Sequence, residues 1–139
     1  MFEHTTKVRV RYGETDQMGY MYYGNYAEFY EVGRVEMLRS LGMTYSGMES
    51  SGIMMPVLEL HCKYLKPALY DDEISIKVIM AKMPGVKIHF KYELYNSAGE
   101  LINIGETLLV FVNMKTNRPC LPSQEFLDAL KPFFSVDLG

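Results

Sequence analysis

The residues whose types and spacing could do chemistry lie together in Arg11-Tyr12-Gly13-Glu14-Thr15-Asp16-Gln17-Met18-Gly19-Tyr20-Met21-Tyr22-Tyr23-Gly24-Asn25-Tyr26. Asp16 is the carboxylate to follow. A glycine turn comes after it, and then aromatic residues that run into a predicted helix start at Asn25. A helix N-terminus offers free N–H groups and the positive end of the dipole. Such a site can polarise a carbonyl or hold an oxyanion. A carboxylate opposite it can act as nucleophile or as general base for water. Together these parts suit acyl transfer to water. On local features alone, an Asp before a Gly-rich turn is most often a plain turn residue.

Other chemistries lack their residues. Gly47-Met48-Glu49-Ser50-Ser51-Gly52 has the wrong spacing for a GxSxG elbow. Neither GxxxxGK[ST] nor GxGxxG occurs. His4, His61 and His89 form no HxxxH or HExxH, so the sequence implies no metal site. His61 and Cys62 are adjacent, and alternation on a strand points them to opposite faces.

The elements that must position Asp16 follow from periodicity. Lys7–Tyr12 alternates as a half-buried strand. Asn25–Leu41 reads as a helix, with Asn25 as N-cap, Glu28 completing a capping box and Gly42 as the C′ residue. Gly33 costs that helix about 1 kcal/mol against Ala, and is tolerated where a helix must approach a sheet closely. Thr44–Gly52 is a short helical turn or loop. Four strand-like runs follow in meander: Met54–Lys66, Glu73–Met83, Val86–Asn96 and Leu101–Met114. The last is apolar enough for an interior strand. Ser123–Leu130 reads as a short helix, with Ser123 as N-cap and Pro132 as stop. One long helix and five strands make an α+β domain spanning 1–139. A single helix covers one face of such a sheet, so the other face or an edge is expected to meet another subunit.

Bulk properties fit this reading. The 139 residues carry a formal net charge of -3, which argues against nucleic acid or an anionic membrane as partner. No apolar run approaches a membrane span, and no secretory signal pattern opens the chain. Cys62 and Cys120 stand far apart, so a reduced cytoplasmic protein is the simplest expectation. The 11 tyrosines and 11 methionines, with no tryptophan, include six tyrosines between positions 12 and 30. Tyrosine suits a ligand cavity or a subunit interface.

The segment RYGETDQMGYMYYGNYAEFYEVGR resembles the signature of hot-dog-fold thioesterases of the 4-hydroxybenzoyl-CoA thioesterase-like group. The resemblance continues through Tyr64-Leu65-Lys66-Pro67-Ala68 and Tyr70-Asp71-Asp72, and covers nearly the whole chain. It implies a five-stranded antiparallel sheet wrapped around one long helix, and an acyl-CoA thioesterase without a cofactor. It makes Asp16 the catalytic carboxylate and Tyr23 the residue whose backbone N–H binds the thioester carbonyl. Gly19 becomes the glycine that turns the chain into the helix. One branch of the family has His seven residues after the aspartate. Here that position is Tyr23, which leaves Asp16 as the obvious acid/base group.

Tyr12, Tyr22, Asn25 and Tyr26 also fit the pattern, as pocket wall and helix cap. Among the lysines at 63, 66, 82, 87 and 91, Lys87 lies where a relative uses basic residues for coenzyme A. The family's site forms between two subunits, so the resemblance implies a homodimer or a dimer of dimers, a homotetramer. Two other readings stay open: a hydroxyacyl dehydratase on the same fold, or a non-catalytic module that binds acyl-CoA or acyl-carrier protein. The acyl group could be aromatic, short or medium in chain length, carried by coenzyme A or by a carrier protein.

Overall fold

In a computed structural model, residues 1–134 are described. The chain runs β1 (Phe2–Arg9), α1 (Tyr26–Ser40), α2 (Tyr45–Ser50), β2 (Ile53–Met54), β3 (Val57–Tyr64), β4 (Glu73–Met80), β5 (Lys87–Tyr95), β6 (Leu101–Val110), β7 (Val112–Asn113), β8 (Arg118–Pro119) and α3 (Gln124–Phe134). Short 3-10 turns cover Tyr12–Glu14 and Tyr23–Asn25. The main sheet is antiparallel, with strand order β1-β4-β5-β6-β3. The second 3-10 turn and α1 form the one long helix, and this is the expected α+β hot-dog fold. Among the described residues no helix is long and apolar enough to cross a membrane.

Alternation builds the core. Ile74, Ile76, Val78 and Met80 of β4 and Ile88, Phe90, Tyr92 and Leu94 of β5 are fully buried on the helix side. Phe29, Tyr30, Met37 and Leu38 of α1 meet them. Gly33 makes the close approach expected of it: a Cβ there would lie 2.7 Å from Val78 Cγ2 and 2.8 Å from Ile76 Cγ2. Gly42 takes φ +79° and ends α1, with its N–H donating to the Arg39 carbonyl at 2.9 Å.

Several sequence expectations are corrected. The strands are not a simple meander, because β3 crosses to the far edge and pairs with β6. The run from Met54 splits at Pro56, which cannot donate to a ladder. The run Leu101–Met114 breaks at Phe111, after which Val112–Asn113 pairs with β2. Asn25 caps nothing with its side chain; it has helical φ and ψ because a 3-10 turn precedes α1. Pro132 lies inside α3 rather than stopping it. Proline near the end of a helix removes one N–H and can be carried for a last turn when the apolar face still packs. Here Phe133 packs on Phe2, ring centroids 4.5 Å apart. Ser123 does cap α3, its Oγ accepting the Phe126 N–H at 3.2 Å.

α1 packs on β1 and β4, which leaves β3 uncovered. Every residue of β3 except Cys62 is exposed, Val57, Leu58, Leu60 and Tyr64 included. Its outer edge has no partner strand among the described residues. His61 and Cys62 do point opposite ways. His61 is exposed beside Glu59, while Cys62 faces Tyr30 and Asn103 inside.

Candidate active site

The loop between β1 and α1 is folded tightly on itself. Glu14, which the sequence reading passed over, is buried and accepts the Arg11 N–H through Oε1 at 2.7 Å. Its carbonyl accepts both the Tyr22 N–H, at 2.7 Å, and Asn25 Nδ2, at 2.9 Å. Asn25 therefore ties the helix start to the loop. Thr15 and Met21 then bridge each other, so residues 15–21 form a small hairpin. Its far side is clamped where the Met21 N–H donates to the Ala68 carbonyl at 2.7 Å and Tyr20 bridges Leu69.

Asp16 stands in this hairpin. Its N–H donates to the Tyr20 carbonyl at 2.8 Å, and its carbonyl accepts the Gly19 N–H at 3.0 Å. Oδ1 accepts the Met18 N–H at 2.8 Å and the Tyr20 N–H at 3.3 Å. Oδ2 has no partner among the described residues, so one carboxylate oxygen holds the loop and the other remains available. Gly19 takes φ +79°, a left-handed conformation that costs other residues about 1–2 kcal/mol.

The helix start lies across from this loop. Tyr23–Asn25 is a 3-10 turn, and the Tyr26 N–H donates back to the Tyr23 carbonyl. The N–H groups of Tyr23 and Gly24 have no acceptor among the described residues, as the first donors of a helix must lack one. Asp16, Tyr20, Met21, Tyr23, Tyr26, Tyr64, Leu65, Lys66 and Pro67 line one open cleft of about 320 Å³. Tyr12, Thr15, Asp16, Gln17, Gly19 and Tyr70 line a second, of about 690 Å³. Asp16 borders both. Asp16 and the helix start at Tyr23 thus border one mostly apolar cleft, an arrangement that suits water attack on a polarised carbonyl.

The expected residues divide by position. Tyr26 is buried, with its ring edge on Tyr64 at 5.1 Å and its hydroxyl accepting the Ala68 N–H at 3.4 Å. Burial pushes its phenol up from the ordinary value. Tyr12 is exposed and meets Tyr70 edge-on at 5.7 Å on the second cleft. Tyr22 packs on Tyr23 at 4.5 Å but lines neither cleft. Lys66 lines the first cleft and pairs with Glu100. Lys87 is not brought to Asp16 within one protomer. It lines a separate cleft of about 500 Å³ with Lys82, His89 and Lys91. Lys87 lies opposite Val110 and Tyr64 opposite Asn103, seven residues apart along β6, or about 23 Å.

Tyr64 is a cleft-lining residue to which sequence reading gave no role. It ends β3, lines the first cleft and donates its hydroxyl to the Tyr23 carbonyl at 3.2 Å. Burial first, then its neighbour Cys62, push its phenol up to about 12. The available signal was its place in the Tyr64–Ala68 motif, which says nothing about the cross-chain contact.

Comparison with known proteins gives the family. Residues 10–130 match the family described as the thioesterase-like superfamily, and the chain belongs to it. The Bacillus subtilis protein YneP is 35% identical over 127 residues, covering 90% of this chain and 92% of that one. The acyl-CoA thioester hydrolase YbgC of Escherichia coli O6:H1 is 31% identical, covering 81% and 84%. The solved structure of a DHNA-CoA thioesterase from Staphylococcus aureus is 34% identical, with a TM-score of 0.83 over 97% of this chain and 85% of that one. Membership places the protein among the thioester hydrolases.

Proposed function

We propose that this chain is an acyl-CoA thioesterase that uses Asp16 and the backbone N–H of Tyr23. The observation that carries the reading is one cleft bordered both by Asp16, whose Oδ2 has no partner among the described residues, and by the helix start at Tyr23. The thioester carbonyl oxygen lies at the Tyr23 N–H. Water adds to the carbonyl carbon as Asp16 takes its proton, and negative charge builds on the oxygen beside the amide. The C–S bond then breaks, the acid forms, and the thiolate leaves and recovers the proton. Attack by Asp16 itself, through an anhydride that water then opens, uses the same atoms. Gly19 shapes the loop, Tyr26 walls the cleft, and Asn25 holds the helix start. Tyr12 walls the second cleft, and Tyr22 supports Tyr23 by ring packing. The relatives named for CoA thioesters support coenzyme A as the carrier.

We propose a homodimer as the working unit. The bare edge of β3, with exposed Val57, Leu58 and Leu60, is a template for antiparallel pairing about a two-fold axis. Such pairing reverses the second strand and brings the far end of its sheet beside Tyr64. The partner's Lys87, three strands away, would then stand about 14 Å from Tyr64, in reach of a coenzyme A phosphate. A tetramer would double this unit. The cytoplasmic location suggested by two widely spaced cysteines belongs to the same proposal, as does the one-domain organisation of 1–139.

Thiol release from an acyl-CoA panel tests the function, and sedimentation of wild type against Leu60→Arg tests the dimer. Dehydration of a 3-hydroxyacyl-CoA would turn the assignment toward the dehydratase. Saturable binding without thiol release would turn it toward the binding module.

A further inference from the structure

Tyr64 stands at the only place where the edge strand touches the helix start by a side-chain hydrogen bond among the described residues. The 3-10 turn Tyr23–Asn25 is otherwise exposed and thinly tethered. On one side the Glu14 carbonyl holds Tyr22 and Asn25. On the other the Tyr64 hydroxyl, 3.2 Å from the Tyr23 carbonyl, is the tether from the sheet. That carbonyl is the one that accepts the Tyr26 N–H and closes the first turn. The ring of Tyr64 is braced edge-on against buried Tyr26, so the hydroxyl has a fixed base. The turn is therefore gripped from both sides of Tyr23, which lines the cleft.

We propose that Tyr64 is a positioning residue for hydrolysis: its hydroxyl holds the Tyr23 turn so that the Tyr23 N–H is aimed where the oxyanion develops. This rests on the thioesterase reading and adds a residue to it. Misplacement of such a donor by about 1 Å can cost on the order of 10²-fold in rate, so one tether suffices to matter. The hydroxyl does not serve as an acid to the leaving thiolate in this account. Its phenol is pushed up to about 12, far above a thiol at about 8.5, so proton transfer to the thiolate runs uphill.

Tyr64→Phe removes the hydroxyl and keeps the ring on Tyr26. The substitution is compared with wild type and Asp16→Asn, using an acyl-CoA and a thiophenyl ester of the same acid. The expected result is a kcat roughly 10- to 100-fold below wild type, KM within about twofold, and the same loss with either leaving group. Amide exchange at Tyr26 should quicken about 2- to 12-fold, as for one lost hydrogen bond. A kcat within about twofold of wild type overturns the inference, as does unchanged exchange. A loss that disappears with the thiophenyl ester also overturns it, since that marks an acid to the leaving group. If Asp16→Asn is inactive while Tyr64→Phe is normal, the thioesterase reading stands and only this inference fails. If the wild type hydrolyses neither ester, both fail.

Discussion

Gly105→Ala is the substitution for which the structure sets the sharpest cost. Gly105 sits on β6 beneath the ring of Tyr30. A Cβ there would lie 2.2 Å from Tyr30 Oη, 2.3 Å from Cζ and 2.5 Å from Cε2. The ring cannot swing aside freely. It is fully buried, stacked on Tyr92 with centroids 4.2 Å apart, and its hydroxyl donates to Asn103. Overpacking of a tight core costs about 1–3 kcal/mol, and three atoms of a rigid ring put this case at the upper end. Loss of the Asn103 bond adds about 1 kcal/mol. Replacing a strand glycine returns about 0.5–1 kcal/mol. The net is about 3 kcal/mol of destabilisation. At about 2.1 cal/mol/K per residue the unfolding entropy is about 0.3 kcal/mol/K, so Tm should fall by about 10 °C. Thermal melts followed by circular dichroism, with urea melts to check the slope, measure it. A fall of less than about 3 °C would show that Tyr30 is not packed against Gly105, and the helix-to-sheet contact described here would be wrong.

Other perturbations separate the fold from the site. Gly19→Ala should cost about 1–2 kcal/mol through its positive φ, with no clash, and should lower kcat because the Gly19 N–H helps shape the Asp16 loop; unchanged kinetics would detach the hairpin from the reaction. Lys87→Ala should raise KM for an acyl-CoA and leave an acyl-pantetheine unaffected, and equal effects on both would remove Lys87 from phosphate binding. Stability should fall at alkaline pH. Burial raises the phenols of Tyr30 and Tyr92 above the unfolded value of 10.0, so their contribution is complete below pH 10 and is lost as pH rises towards their folded values. Two such groups give a slope of about 2.7 kcal/mol per pH unit above pH 10. Urea midpoints that stay flat to pH 11 would contradict the burial.

Much of this architecture could be read from residue order because it rests on local rules. The strands alternate, Gly42 ends α1 with a positive φ, Ser123 caps α3, and Gly33 marks where helix meets sheet. The position of β3 could not be read, since pairing with β6 rather than β4 depends on contacts far apart in sequence. Pro132 misled because packing of Phe133 on Phe2 outweighs a local stop signal. At the site, the Asp16 loop was legible from its turn residues and its resemblance to a family signature. Glu14 and Tyr64 were not. Glu14 acts largely through its backbone carbonyl, which carries no side-chain signal, and Tyr64 reaches the Tyr23 carbonyl across 41 residues of chain. Lys87 lies on a separate cleft of the protomer, so its proposed role needs a second copy, which no single-chain pattern displays.

Asp16 is proposed to drive thioester hydrolysis. Asn at this position retains a side-chain oxygen for the Met18 and Tyr20 N–H groups, so the loop should survive while the base is lost. Free thiol release from a panel of acyl-CoAs, with wild type and Asp16→Asn measured in parallel, also controls for Cys62 and Cys120. The wild type should hydrolyse the thioester, and kcat should be lower by roughly 10²–10⁴ in the variant, with an unchanged melting profile. Near-normal turnover in a well-folded Asp16→Asn protein would contradict it.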